Sequence, residues 1–366
     1  MRKKRTALVL SGGGSRGAYQ CGVWQALDEL GVKIDIVVGV SVGALNGAMV
    51  MDGDVIKTAN LWRRMETDMV FDVESDAGLP EIVHEMLINH GAGTTGLQDL
   101  VAQYVDEDAV RRSPVDYGLL TIEIPSMKPH YLWKEDIPEG KLHDYITASA
   151  SLFPALQAHE IDGKYFIDGG YEDVMPVLMP LEKGATDVIA VYLKAAGKLK
   201  RQNLKKAPNL TLIESKWDLG SVLLFDKDHT NRIMRLGYMD AMKTYGVYDG
   251  EYYSFIKGSF NKAETKAADA AAKVFELDPL VLYGRESLME ALHEELVRLA
   301  EIHASEKPLE SLKEALNVSN RKLLTLIIID DLKRMGKKSI FASPAAGRLL
   351  KHEVPAAKFL LKNELI

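Results

Sequence analysis

Three short motifs carry residue types and spacings that can do chemistry. Gly39-Val40-Ser41-Val42-Gly43 is a G-x-S-x-G pattern between an apolar run and a helical one. It suits a nucleophilic serine, which must project from a sharp, strained turn; glycines two residues away on each side remove Cβ atoms that would collide there. A helix starting at Val42 aims its first N–H groups and positive dipole end at the carbon under attack. Upstream, Gly12-Gly13-Gly14-Ser15-Arg16-Gly17 also joins a strand to a helix. Its backbone N–H groups can hold a phosphate or the oxyanion of an acyl transfer, and Arg16 can hold the loop or meet a substrate phosphate. Downstream, Asp168-Gly169-Gly170 puts a carboxylate on a tight turn after a short strand. A serine, a nest of donors and a carboxylate are the parts of an enzyme that works through an acyl intermediate.

The glycine loop admits a rival reading. Gly12, Gly14 and Gly17 satisfy G-x-G-x-x-G, and Asp35 follows Gly14 by 21 residues, near the spacing of a ribose-binding carboxylate. That would make the chain a dinucleotide-binding oxidoreductase. However, Asp35 lies near the start of the second strand, whereas a ribose contact belongs at its end, where Ser41 stands. A histidine base is poorly supported. Of the nine histidines, none sits in a glycine-flanked loop after a strand, and His293 and His303 fall in amphipathic helical pattern. His229, in Asp226-Lys227-Asp228-His229-Thr230, is the least unsuitable. Asp168 is the stronger partner for Ser41.

The elements that must position these motifs read as an α/β fold. Residues 6–10 and 34–38 are short apolar runs, suited to buried parallel strands. Residues 17–30 place Ala18, Cys21, Val23, Leu27 and Leu30 at helical spacing before Gly31, and 42–51 reads as a helix of small and apolar residues. Helical stretches follow at 54–66 and 97–104, a hairpin at 119–124 and 130–133, a helix at 143–152, and strands at 165–167 and 187–193. Residues 194–206, with six Lys/Arg, read as a surface loop. From about 226 the strand signal fades, and 263–277, 286–304 and 320–335 are helical in spacing. The expected organisation is a catalytic domain over 1–250, its parallel-rich sheet between helices, and a mainly helical region over 251–366. In that region Leu288, Leu292, Leu296 and Leu299 form a helix-packing stripe.

At 366 residues, with 45 Lys+Arg against 52 Asp+Glu, the chain is long enough for two domains and carries a net charge of −7. That acidity argues against nucleic acid as a partner. A single cysteine, Cys21, cannot form an internal disulfide, so a reducing cytoplasm is the expected compartment. The basic start precedes an apolar run too short for a secretory segment, and no stretch approaches the ~20 apolar residues of a membrane span.

Taken together, the three ordered motifs resemble the patatin-like lipid acyl hydrolases. The block Ala148-Ser149-Ala150-Ser151-Leu152-Phe153-Pro154, with Asp162-Gly163-Lys164-Tyr165 ahead of Asp168-Gly169-Gly170, resembles the same family. The resemblance covers about residues 5–195. It implies a catalytic pair of Ser41 and Asp168 without histidine, an oxyanion hole at Gly12, Gly13 and Gly14, and no metal or organic cofactor. It also implies hydrolysis of fatty-acyl esters in phospholipids or neutral lipids. One departure stands out: such proteins commonly carry an asparagine after the D-G-G, and here Tyr171-Glu172-Asp173-Val174-Met175-Pro176 has none. A lipid-binding module with a degenerate site is the remaining alternative, and the intact serine, aspartate and glycines argue against it.

The last 34 residues differ from the rest. Eight Lys/Arg oppose Glu353 and Glu364, a net +6, and Phe341, Leu349, Leu350, Val354, Phe359, Leu360, Leu361 and Ile366 alternate with the charges. Two readings are open: peripheral contact with a membrane through this tail, or apolar residues packed in the core beneath a basic surface. Pro344 and Pro355 break any long helix and favour the second.

Overall fold

The strand Thr6–Leu10 (β1) is buried throughout and apolar after Thr6, as suits a strand covered on both faces. In a computed structural model, which describes residues 4–71, 91–304 and 320–366, β1 pairs in parallel with Ile36–Val40 (β2) and with Asp187–Tyr192 (β7). The sheet continues through Asp116–Ile124 (β3), Lys128–Trp133 (β4), His159–Ile161 (β5), Lys164–Asp168 (β6) and Leu210–Glu214 (β8). Among the described residues its order is β5-β6-β3-β2-β1-β7-β8, with β4 also on β3. The β1–β2, β1–β7, β2–β3 and β7–β8 pairs are parallel; those of β3 with β4 and β6, and of β5 with β6, are antiparallel. β2 ends two residues later than the apolar run suggests, because β1 holds it through Gly39 and β3 through Val40.

One register detail positions the site. Gly118, Leu119 and Leu120 of β3 pair with β2 and with β4, so those two strands occupy opposite edges of β3. Thr121, Ile122 and Glu123 pair with β4 and with β6, so β6 shares its edge with β2. The two strands meet end to end along that edge. Val40 lies opposite Leu120 and Asp168 opposite Thr121, one residue further on.

Helices Gly17–Glu29 (α1), Val42–Asp52 (α2), Val55–Arg64 (α3), Thr67–Val70 (α4), Thr95–Tyr104 (α5), Glu107–Arg112 (α6), Leu142–Ala150 (α7), Arg201–Leu204 (α8) and Lys227–Thr244 (α9) accompany the sheet. Alternation along β1 and β2 sends Ala7, Val9, Ile36 and Val38 to one face, where they pack with Val174, Met175 and Val177. Val37 points to the other, against α2: a Cβ on Gly47 would lie 3.0 Å from its Cγ1.

The chain divides into two compact units, Met1–Ala241 and Met242–Ile366. Besides Lys262–Val274 (α10), Arg285–Ala304 (α11), Asn320–Met335 (α12), Pro344–Leu349 (α13) and Glu353–Lys362 (α14), the second holds a three-stranded sheet. Tyr248–Asp249 (β9), Ser254–Ile256 (β10) and Leu282–Tyr283 (β11) correct the expectation of fading strands; two or three residues are too few to show alternation. Asp269 accepts the N–H groups of Glu251, Tyr252 and Tyr253 at 3.2, 2.9 and 2.8 Å, tying that sheet to α10. Leu288, Leu292 and Leu299 are buried as a packing stripe. The C-terminal tail is folded rather than free. Val354, Phe359 and Leu360 lie in the core, Phe359 meets Phe260 edge-on at 6.0 Å, and Lys362 pairs with Glu264. Those apolar residues therefore leave the set available to a membrane. Pro355 falls in the first turn of α14, where a missing N–H breaks no helical bond.

Candidate active site

Ser41 stands between β2 and α2 with φ 57° and ψ −130°, a conformation an L-residue adopts only under constraint. The constraint is close packing. A Cβ on Gly39 would lie 2.0 Å from the Gly43 carbonyl oxygen, and one on Gly43 would lie 2.2 Å from the Leu10 carbonyl oxygen. The third support is Ser149 at the end of α7. Its Oγ accepts the Ser41 N–H at 2.9 Å and donates to the Leu120 carbonyl at 2.8 Å. The next turn holds the other partner, since the Asp168 N–H donates to the Ser151 carbonyl at 2.9 Å. One segment, 149–151, thus fastens both residues. Both serines stood in the quoted block at 148–154, but nothing local in that block shows what they bond.

The Ser41 hydroxyl stands near the Asp168 carboxylate and favours its ionised form. Both residues are buried. Burial pushes the Asp168 carboxyl up to about 6, against the opposing pull of the Ser41 hydroxyl and of the Gly170 N–H, which donates to Oδ1 at 2.7 Å. Gly169 allows the close approach, because a Cβ there would lie 2.1 Å from the Leu120 carbonyl oxygen. A raised carboxyl pKa binds a proton in the folded chain where the unfolded chain has lost it. Ionising Asp168 therefore destabilises the fold as pH rises from about 4 to about 6, by roughly 3 kcal/mol once it is fully ionised. Asp168→Asn is expected to gain thermal stability relative to wild type across that interval and to keep the gain at pH 8. Paired unfolding curves at pH 4.0 and pH 8.0, about either end of the window, check this; a constant difference would refute it.

The glycine loop lies beside the serine: a Cβ on Gly12 would come within 3.2 Å of Ser41 Cβ. The Gly12 N–H is already donated to the Val174 carbonyl at 3.2 Å, so Gly12 is not an oxyanion donor and the resemblance is corrected there. The Gly13 and Gly14 N–H groups have no acceptor among the described residues. Side chains are excluded at both. A Cβ on Gly13 would lie 2.5 Å from Leu193 Cδ1; Gly14 sits at φ 53° with its Cβ position 2.0 Å from the Val222 carbonyl oxygen. Arg16 holds the loop from below, donating to the Gly220, Leu193 and Lys194 carbonyls at 2.6 to 3.1 Å. Its guanidinium is thereby committed to backbone rather than to a phosphate. Gly17 packs under Val42 and Trp62, and the Asn46 amide donates to its carbonyl at 3.0 Å.

These residues close one end of a cavity whose walls are apolar: Val42, Leu45, Trp62, Phe71, Leu97 and Phe225 among them. No histidine lines it among the described residues. His229 instead bonds the Leu219 carbonyl at 2.7 Å, while His84 and His90 lie outside the described residues and the side chain of His303 is not described. The 194–206 loop is more than a surface connection, since Ala195, Ala196 and Gly197 form part of the rim. Lys198 and Lys200 pair with Glu172 beside the Asp168 turn. Asp173, in the stretch after D-G-G that lacks an asparagine, is buried, and its Oδ1 accepts the Met175 N–H at 3.1 Å, shaping the turn that presents the Val174 carbonyl to Gly12. Asp35 accepts the Thr6 N–H at 3.0 Å and pairs with Lys33 at 3.1 Å at the entry to β2, the opposite end from the glycine loop. It is not positioned for a ribose over Gly12–Gly17.

A serine on a strained elbow and a buried carboxylate thus stand together at the carboxyl ends of β2 and β6 in a parallel-rich α/β sheet. Residues 8–181 match the family described as "Patatin-like phospholipase". Lysophospholipase NTE1 of Saccharomyces cerevisiae is 31% identical over 52% of this chain and 11% of its own length. The patatin-like phospholipase domain-containing protein 7 of Rattus norvegicus is 30% identical over 50% of this chain and 13% of its own. The chain thus spans little more than a tenth of the curated relatives it matches. The crystal structure of VipD from Legionella pneumophila superimposes with a TM-score of 0.44 at 12% identity, covering 97% of this chain and 88% of that one. Among the described residues no helix is long and apolar enough to cross a membrane.

Proposed function

We propose that this chain is a serine acyl hydrolase that cleaves fatty-acyl ester bonds of lipids, with Ser41 as nucleophile and Asp168 as its base. The observation that carries the reading is the placement of the Ser41 hydroxyl and the buried Asp168 carboxylate together in the lining of one apolar cavity. The apolar walls suit an acyl chain, and the polar end suits an ester group. Ionised Asp168 accepts the Ser41 proton as Oγ attacks the ester carbonyl, and the Gly13 and Gly14 N–H groups meet the developing oxyanion. The leaving alcohol departs with the proton from Asp168. In the second half-reaction Asp168 draws a proton from water as the water oxygen attacks the acyl-enzyme, and then gives that proton to Ser41 Oγ as the acyl–oxygen bond breaks and the fatty acid leaves.

The base works only when ionised. The kcat/KM profile is therefore expected to fall on the acid side with an apparent pKa of about 6, and to level off about one unit above that value. A profile with no acid limb between pH 5 and pH 7, the roughly one-unit span either side of that value, would exclude Asp168 as base. Hydrolysis of a panel of phospholipids, lysophospholipids and neutral glycerides by wild type and by Ser41→Ala tests the activity itself. Covalent labelling of Ser41 by a fluorophosphonate is expected in wild type; a folded protein that is neither labelled nor active would be a lipid-binding module instead.

A further inference from the structure

Folding of the tail buries Val354, Phe359 and Leu360, yet it leaves a different surface behind. Residues 336–351 run from the end of α12 to the start of α14 and contain Lys337, Lys338, Arg348 and Lys351 but no carboxylate. All four cations are exposed, and no ion pair joins any of them to a carboxylate among the described residues. The neighbouring acids are already engaged: Asp331 accepts from Ser339 Oγ at 2.5 Å, Asp330 pairs with Arg334 and Glu353 with Arg321. Between these cations stand Ile340 and Leu349, 73% and 84% exposed, the most exposed large apolar side chains among the described residues. Met335 adds a third, half exposed. This stretch is ordered. Ser343 caps α13 through the Ala346 N–H at 3.3 Å, and Ser339 accepts the Phe341 N–H at 3.0 Å.

We propose that residues 336–351 are the surface by which this chain docks on an anionic lipid bilayer. Unpaired cations match its phosphates and carboxylates, and projecting Ile340 and Leu349 enter the boundary between head groups and acyl chains. No other charged partner accounts as well for bare apolar side chains set among the cations. The proposal rests on the reading of the substrate as a lipid, because an enzyme acting on bilayer lipids has to hold an interface.

The test is vesicle co-sedimentation. Wild type is expected to bind vesicles of phosphatidylcholine and phosphatidylserine, to ignore phosphatidylcholine alone, and to release as salt rises. Replacing the four cations together (Lys337→Gln, Lys338→Gln, Arg348→Gln, Lys351→Gln) is expected to lower the partition coefficient roughly a hundred-fold or more, at about five-fold per cation. Ile340→Ser with Leu349→Ser is expected to weaken binding at every salt concentration, and both variants are expected to hydrolyse a short soluble ester like wild type. Equal binding of wild type and the four-cation variant, or no binding of wild type to the anionic vesicles, overturns the proposal. Should a variant fail to fold, the response of wild type to phosphatidylserine and salt still decides. Docking without hydrolysis of any ester would refute the proposed activity and leave the docking surface standing.

Discussion

Ser41→Ala is expected to abolish ester hydrolysis, with kcat/KM falling by about 10⁴-fold or more, while the fold and its thermal stability are kept. The substitution removes one oxygen from a buried site and leaves the elbow in place, since its glycines and the Ser149 bond act on the backbone of residue 41. Asp168→Asn is expected to lose on the order of 10³-fold or more. Asparagine can still accept the Gly170 N–H, so the turn survives, but it cannot take the serine proton. The two losses should not add. Once the base is absent the hydroxyl has nothing to activate it, and once the hydroxyl is absent the base has nothing to deprotonate. Turnover of a soluble ester and of a lysophospholipid by both single variants and the double variant measures this. Full turnover in a folded Asp168→Asn would remove the carboxylate from the mechanism.

The next largest effect is expected at Gly43. Its missing side chain lets α2 start 2.2 Å, measured at the Cβ position, from the Leu10 carbonyl oxygen, with Ser11 also within 2.8 Å. Gly43→Ala must push the first turn of α2 off the end of β1, and both obstacles are backbone, which cannot rotate aside. The overpacking should lower stability by about 1–3 kcal/mol. Because Ser41 rides on that turn, a displacement near 1 Å should lower kcat about a hundred-fold, well beyond the loss in stability. Thermal unfolding and kinetics at a temperature where the variant is fully folded separate the two. An active, wild-type-stable Gly43→Ala would mean that the elbow is not held by this contact.

Much of this was legible in the sequence because it is local. The apolar runs of β1 and β2, the helical spacing after Gly17 and the two glycine patterns each lie within about ten residues, and each reports a backbone that must turn sharply or pack closely. Arg16 shows where local reading stops. A basic residue in a glycine loop fits a phosphate or a structural role equally well, and only the carbonyls of Gly220, Leu193 and Lys194, some two hundred residues downstream, decide between them.

The same division separates the catalytic parts from their assembly. The sequence by itself determined which residues could react, Ser41 on an elbow and Asp168 on a glycine turn, since those types and spacings are properties of the chain. It could not determine that they meet, because they are 127 positions apart and nothing local measures that distance. The meeting follows from β3, along one edge of which β2 and β6 run in from opposite ends and stop at Leu120 and Thr121. Tertiary structure also tied the Gly12 N–H to the Val174 carbonyl and put Val354 and Phe359 in the core while leaving Ile340 and Leu349 bare. Each of these outcomes depends on which distant groups fill the space around a residue, and sequence spacing carries no record of that.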